Sequence, residues 1–304
     1  MAKKRVNTAI PINDNFKELN ENFDDLYLNK IDRPTGVPNG TKFLRDDGTW
    51  ANPINMIEEI QRTGQYSGKA ANVYVINGRR AGFTNTSSPH DLKEFDSTSL
   101  FFTQMTGSES LEIVSTSEDD SSSGIGVRSV KVTYINNSNS IVQSSTITLN
   151  GTTPVSLPFT ANEILWMESA SSGSARIAQG NIKIRIVSGV ELEQITANSS
   201  KSKTGKFMIP AGFTGYVVRW NGQSINNDQD LFILAQCETL SREFSQAYHF
   251  MDNLYIAVNN ASPDKELGFL KVPELARIKL STVSAGTAGT VRSSGSFTVV
   301  IIQN

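Results

Sequence analysis

The chain has 304 residues, a formal net charge of −2 and charged side chains at 19 % of positions. This length suits two domains of ordinary size. The near-neutral charge provides no basic field for nucleic acid or an anionic membrane surface. No apolar run approaches the roughly 18 residues needed to span a bilayer. The single cysteine, Cys237, excludes an intramolecular disulfide framework.

The clearest helical pattern lies near the N-terminus, over residues 11–31. Its apolar residues recur at heptad spacing: Ile12, Phe16, Leu19, Phe23 and Leu26. Two heptads are too short to be stable as an isolated helix in water. We therefore expect this seam to associate with copies of itself or to dock into a groove on another protein. The alternative is an amphipathic helix folded against its own domain.

A short hairpin is predicted after an irregular, turn-rich stretch at residues 33–40. Asp47 and Gly48 form a strong turn signal, which would bring Phe43 or Leu44 toward Trp50. The two adjacent aspartates before the glycine have no third carboxylate or histidine nearby, so a turn is favoured over a metal or acid–base site.

The rest of the chain reads as β-structure. Residues 54–64 fit either a helix or a strand, and 73–76 predict a strand ended by Asn77-Gly78. A first antiparallel unit follows, in which strands and turns alternate. Its predicted strands are 130–134, 146–149, 163–167 and 182–186; its turns are 136–140 and Asn150-Gly151, and a loop is predicted at 169–174.

A second β unit begins near Gln194. We expect a strand at 216–220 turned by Asn221-Gly222, a returning strand at 231–238, and enough later strands for a second sandwich or jelly roll. The predicted fold is therefore mainly β. Residues 1–55 form an N-terminal arm with a short helix, and 56–192 and 193–304 form two β-sandwich or jelly-roll-like domains.

The sequence contains few motifs typical of catalytic or metal-binding sites. No nucleophile elbow, phosphate loop or zinc motif occurs, so we expect no enzyme activity, no cofactor and no metal centre. The acidic run 118–120 could hold calcium, but a polar loop explains it equally well. His90, assigned to a loop, and His249 are isolated. Trp220, Tyr216 and Tyr248 could contact a receptor or glycan if exposed, although a core position is favoured.

Several segments resemble proteins of tailed-bacteriophage particles. The segment Phe43–Ala51, FLRDDGTWA, is similar to the FLRGDGTWA element of phage fibres, with Asp46 at the usual glycine. Residues 12–19 and 26–32 resemble the N-terminal helices of trimeric fibres. The body segments 119–130, 146–155, 209–216 and 296–302 resemble a recurrent type of phage virion protein, in matching order.

The resemblance implies a non-enzymatic virion structural protein at the particle surface, on the head or the tail. It implies a homotrimeric fibre or fibre adaptor whose residues 1–55 bind other virion proteins. A head-fibre or capsid decoration protein and a receptor- or glycan-binding adhesin are the alternatives. The family carries over no catalytic residues.

Overall fold

A computed structural model describes residues 43–44, 50–51, 53–84, 90–94, 102–138, 140–187, 189–226, 233–240, 248–256, 265–284 and 290–304. The chain divides into two units, Met1–Gly68 and Lys69–Asn304, which are described separately. The predicted mainly β fold is confirmed, with several antiparallel sheets and one short helix in the described residues. None of the described helical segments is long and apolar enough to cross a membrane.

The first unit contains a small hairpin and the helix. Strand β1 (Phe43–Leu44) pairs antiparallel with β2 (Trp50–Ala51), and helix α1 (Pro53–Thr63) and strand β3 (Gln65–Tyr66) follow. Proline suits the first helical position because its missing N–H would be unsatisfied there anyway. Met56 and Ile60, one turn apart, are buried. Gly64 ends the helix at φ 68°, and its N–H donates to the Ile60 carbonyl at 2.7 Å.

The second unit is built from antiparallel strands. Its strands are β4 (Lys69–Thr84), β5 (His90–Asp91), β6 (Leu111–Ser115), β7 (Val127–Asn136), β8 (Val142–Thr148), β9 (Val155–Ser156), β10 (Ala161–Ser172), β11 (Ile182–Ile186), β12 (Glu191–Ile195), β13 (Lys206–Met208), β14 (Phe213–Asn226), β15 (Ile233–Leu240), β16 (Tyr248–Ile256), β17 (Lys265–Val272), β18 (Arg277–Ser284) and β19 (Thr290–Gln303).

These strands form four sheets within the described part of the unit. Sheet I has the order β12-β11-β6-β9, and sheet II the order β10-β7-β8. Sheet III has the order β13-β18-β15-β16, with β5 also paired to β18, and sheet IV the order β17-β14-β19-β4. The first strand of the unit, β4, therefore pairs with the last, β19.

The first core lies between sheets I and II. Alternate residues of each strand point into it, as the two-residue period predicts. Its fully buried members include Ile113, Val130, Val132, Ile164, Met167, Ile182 and Ile184. Burying each such side chain contributes about 1.5–3 kcal/mol.

The second core lies between sheets III and IV. It contains the buried side chains of Phe207, Val217, Trp220, Ile278, Leu280, Phe297 and Val299. Ile135 and Leu165, from strands β7 and β10, also belong to it. Sheet II therefore contacts the first core with one face, and its other face contacts the second core at Ile135 and Leu165.

Two predicted turns are confirmed. Strand β7 ends at Asn136 and β8 begins at Val142, so the polar run turns the chain as predicted. Gly151, at φ 60°, lies in the turn after β8. The predicted loop at 169–174 begins later than expected, because β10 stays paired with β7 as far as Ser172.

The predicted turns at Asn77-Gly78 and Asn221-Gly222 are wrong. Strand β4 continues through Gly78 and strand β14 through Gly222, and both glycines pair with Gly295 of β19, which lies between them. A Cβ on Gly78 would lie 2.7 Å from the Gly205 Cα and 2.7 Å from the Leu92 Cβ. A glycine inside a strand here permits close backbone approach rather than a turn.

We expect Gly78→Ala to lower the free energy of unfolding by about 3 kcal/mol, because the added methyl group meets backbone that cannot move independently. Asn72→Ala, at an exposed position of the same strand, is the matched control and should change stability by less than about 0.5 kcal/mol. Urea unfolding measures both. Equal midpoints for the two variants would contradict the close-approach explanation.

Candidate functional site

The predicted N-terminal site is only partly described. Ile12, Phe16, Leu19, Phe23 and Leu26 lie outside the described residues, so their role in association stays a prediction. The hairpin is confirmed by its register, in which Phe43 faces Ala51 and Leu44 faces Trp50. The turn residues of this hairpin, Asp47 and Gly48, also lie outside the described residues.

The acidic loop at 118–120 is organised around Asp120, which is fully buried. Its Oδ1 accepts hydrogen bonds from the N–H groups of Val127 and Gln179, at 2.9 and 3.0 Å. Its Oδ2 accepts from the Gly180 N–H at 2.8 Å and the Ser115 hydroxyl at 2.7 Å. Four donors fill the acceptor capacity of one carboxylate. This aspartate therefore serves as a structural hub that joins three segments.

Metal-ligating side chains are not clustered in the described ranges. No group of three or more His, Cys, Asp or Glu side chains that could hold a metal ion occurs among those residues. His90 is buried in strand β5 and pairs with Thr282, so its assignment to a loop is wrong. For His249 the structure describes only the backbone, which lies in β16.

A cluster of buried charges joins sheet II to sheet III. Glu163 of β10 accepts hydrogen bonds from two cations, Lys206 of β13 and Arg277 of β18. The Lys206 Nζ lies 2.5 Å from Oε1, and the Arg277 Nε lies 2.9 Å from Oε2. The Arg277 guanidinium also donates to the Asn162 carbonyl oxygen at 3.1 Å. Both oxygens of the buried carboxylate are thus satisfied across the contact between the sheets.

A second carboxylate, Glu193 of β12, lies beside this cluster and is fully buried. The Thr204 hydroxyl donates to its Oε1. Burial raises the pKa of the Glu193 carboxyl from 4.5 to about 7, although the positive charge of Lys206 opposes the rise. The negative charge of Glu163 adds to it. Glu193 is thus the described carboxyl that changes charge near neutral pH.

A separate buried ion pair fixes strand β5 to sheet III. The Lys279 Nζ lies 2.8 Å from the Asp91 Oδ1, and the Phe102 N–H donates to Oδ2 at 2.6 Å. Both charged side chains are almost fully buried. Buried ions retained in this way fix the relative placement of elements, because any other arrangement would leave a charge unpaired in a low-dielectric interior.

An open cleft lies where sheets II and IV meet. Its lining comes from residues 75–77 of β4, Leu165 and Trp166 of β10, and the segment 201–204, and its volume is about 140 Å³. Trp166 is half-buried, and its ring lies 5.8 Å from that of Tyr74 between centroids. The Lys201 Nζ lies 5.6 Å from the Trp166 ring centroid.

Sequence reasoning placed Trp166 in a strand but missed the cleft. The pairing of β10 with β7 shifts register between Ile164 and Trp166, which marks a bulge. As a result Leu165 and Trp166, although consecutive, both contact the second core, while Ile164 and Met167 face the first. The apolar run 163–167 carries no local signal for such an irregularity.

The aromatic residues considered for glycan contact have different positions. Trp220 is 1 % exposed and belongs to the second core, as the favoured interpretation predicts. Tyr216 is half-buried. The side chain of Tyr248 lies outside the described part of the structure.

Comparison with known proteins gives distant structural similarity alone. No protein-family model and no curated protein matches the chain. Among solved structures, a chain in the structure of the Gt strain of infectious bursal disease virus has 12 % sequence identity to this protein. The match covers 83 % of this chain and 78 % of that chain, with a TM-score of 0.19. The VP2 subviral particle of the same virus is 11 % identical over 83 % and 77 %, with a TM-score of 0.20. Similarity this weak supports no argument about function.

We expect Glu163→Gln to destabilise the protein by about 3–5 kcal/mol, because it leaves the buried Lys206 and the partly buried Arg277 without their carboxylate. Glu168→Gln on the same strand is the matched control. Glu168 pairs with Lys131 at 3.4 Å on the exposed surface, so its loss should cost less than about 1 kcal/mol. Urea unfolding compares them, and similar losses for the two variants would contradict the structural role of the cluster.

The stability of the protein should depend on pH through Glu193. Its folded pKa of about 7 exceeds the ordinary 4.5, so the neutral carboxyl stabilises the fold fully below about pH 4.5. This contribution is lost as the pH rises through 7. At about 1.4 kcal/mol per pKa unit, the loss is on the order of 3 kcal/mol.

Glu193→Gln carries a permanently neutral side chain, so its stability should lack the pH-dependent contribution of Glu193. The difference in unfolding free energy between wild type and the variant should therefore change between about pH 5 and pH 8, in favour of the variant at the higher pH. Glu191→Gln, two residues away on a partly exposed side chain, is the control. Parallel pH profiles for wild type and Glu193→Gln would rule out this assignment.

Proposed function

We propose that the protein is a non-enzymatic structural component of a bacteriophage particle, an oligomeric fibre or fibre adaptor. Residues 1–55 form the attachment arm, and the β-rich remainder forms the projecting body. The observation that carries the proposal is the hairpin within the segment Phe43–Ala51. The pairing of Leu44 with Trp50 supports the hairpin that the fibre-like sequence implies.

The architecture of the body supports this function. Strand β4 has 16 residues and β19 has 14, and they pair along almost their whole length. At about 3.3 Å per residue such strands extend for about 50 Å. Sheets stacked on two cores and joined by buried ion pairs resist shear between layers. A rigid β-body of this kind suits a protein that projects from a particle surface.

The heptad seam of residues 12–26 is the proposed trimer interface. The helix predicted from the heptad pattern would be too short to be stable alone, and three copies would bury its apolar stripe. Other virion proteins are the proposed partners of the remaining arm. A head-fibre or decoration protein would use the same arm and body, and antibody labelling of intact particles in the electron microscope distinguishes head from tail.

The oligomeric state tests the seam in the full-length chain. Phe16→Asp with Phe23→Asp places charges inside the proposed interface and should convert a trimer to a monomer. Asn20→Asp with Asn22→Asp adds the same charge beside the seam and is the matched control. Mass is measured by light scattering after size exclusion, and particle incorporation by co-sedimentation of each variant with phage particles.

The combined results are decisive. Loss of the trimer and of incorporation in the seam variant alone supports the proposed arm. A seam variant that remains trimeric places the interface in the body and contradicts the proposed role of the helix. A chain that lacks residues 1–55 and still enters particles would contradict the assignment of these residues as the attachment arm.

A further inference from the structure

The cleft between sheets II and IV has features of a binding site that the proposed structural role does not require. Trp166 presents a half-buried ring that packs against Tyr74 with the two ring planes tilted by 50°, and Tyr74 in turn lies 5.0 Å from Phe207 of the second core. The ring is therefore held by packed aromatic neighbours on strands. Rigid support of this kind pre-organises a contact surface and lowers the entropic cost of binding.

The charged side chains described in the lining of the cleft are positive. Among the described residues, Lys201 and Lys203 line it and no carboxylate does. Within the described residues neither lysine forms an ion pair, whereas nearby Arg79 is paired with Glu94 at 3.3 Å. The cleft thus offers two cations to an incoming anion. The contact of Lys201 with the Trp166 ring is a weak, exposed cation–π interaction of about 0.5–1 kcal/mol, so a ligand can displace it.

The polar groups of the cleft suit a ligand with many hydroxyls. Asn77 provides an exposed amide, which both donates and accepts hydrogen bonds. The Thr204 hydroxyl already donates to Glu193, so its remaining capacity is as an acceptor. Val75, 51 % exposed, adds an apolar edge. One aromatic face, one apolar edge and a few dispersed polar groups match a sugar ring better than a purely apolar ligand.

The volume of the cleft suits a ligand of a single ring. A volume of 140 Å³ holds about ten waters at 10–15 Å³ each, which corresponds to about a dozen non-hydrogen atoms, as in one hexuronic acid. We propose that this cleft binds an acidic monosaccharide unit, with the sugar face against Trp166 and its carboxylate on Lys201 and Lys203. The site goes beyond the structural function and does not depend on the arm.

The test uses full-length protein with sodium glucuronate and sodium galacturonate as probes and glucose and galactose as their neutral counterparts. Saturation-transfer NMR detects contact, and titration gives affinities. We expect millimolar dissociation constants for at least one uronate, with its neutral counterpart about tenfold weaker, as expected for a lost charge-assisted hydrogen bond.

Two variants locate the site. Lys201→Ala with Lys203→Ala should reduce the affinity for the uronate to that for the neutral sugar. Lys69→Ala with Lys131→Ala, on exposed lysines outside the cleft, is the matched control and should change nothing. Trp166→Leu should lower the affinity for both the uronate and the neutral sugar by about tenfold, because an aromatic stacking contact is lost. Unfolding midpoints verify that each variant is folded.

Three results would overturn the proposal. The first is no detectable binding of either uronate at about 50 mM, far above the millimolar range expected. The second is an unchanged preference for the uronate over the neutral sugar in the lysine variant. The third is binding that is stronger for a glutamate-rich peptide than for the uronates and insensitive to Trp166→Leu. The last would indicate a simple anion site for acidic peptides. Because none of these experiments involves oligomer mass or particle incorporation, their failure is separable from failure of the proposed virion role.

Discussion

The paired burial of Glu163 is the constraint on which the arrangement of the sheets depends. Around Glu163, which is 3 % exposed, sheet II has protein on both faces, so water cannot solvate a charge there. The carboxylate is tolerated because Lys206 and Arg277 both reach it from the facing layer. Any sliding of sheet III against sheet II would separate these charges in a low-dielectric interior. The ion cluster thus selects one stacking of the layers, whereas apolar contacts alone would permit several.

Strand β10 connects this cluster to the two cores and to the cleft. Ile164 and Met167 enter the first core, and Leu165 enters the second. The bulge between Ile164 and Trp166 changes the side to which the next residue points. Without it, strict alternation would send Trp166 into the first core. One irregularity of register therefore fixes the core residues and also brings an aromatic ring to the surface.

Local patterns predicted the features that depend on local physics. Alternation located the strands of the first sandwich, and Gly151 marked its turn because positive φ is a local requirement. Gly78 and Gly222 misled the same reasoning, since each lies inside a long strand and pairs with Gly295, which is distant in sequence. The pairing of Glu163 with Arg277 spans 114 residues, and no periodicity encodes it. The cleft combines three separated segments and was likewise invisible in sequence.

The segment 201–206 shows how burial separates stability from binding. Lys206 is almost fully buried and is held by Glu163, so its charge is committed to the fold. Lys203, half-buried, and Lys201, exposed, lie three and five residues earlier and form no ion pair within the described chain. Thr204 lies between the two environments, since it lines the cleft and donates to Glu193. Residues whose charges the fold does not use can change without unfolding the protein. The cleft can therefore vary in ligand preference while the layers beneath it remain fixed.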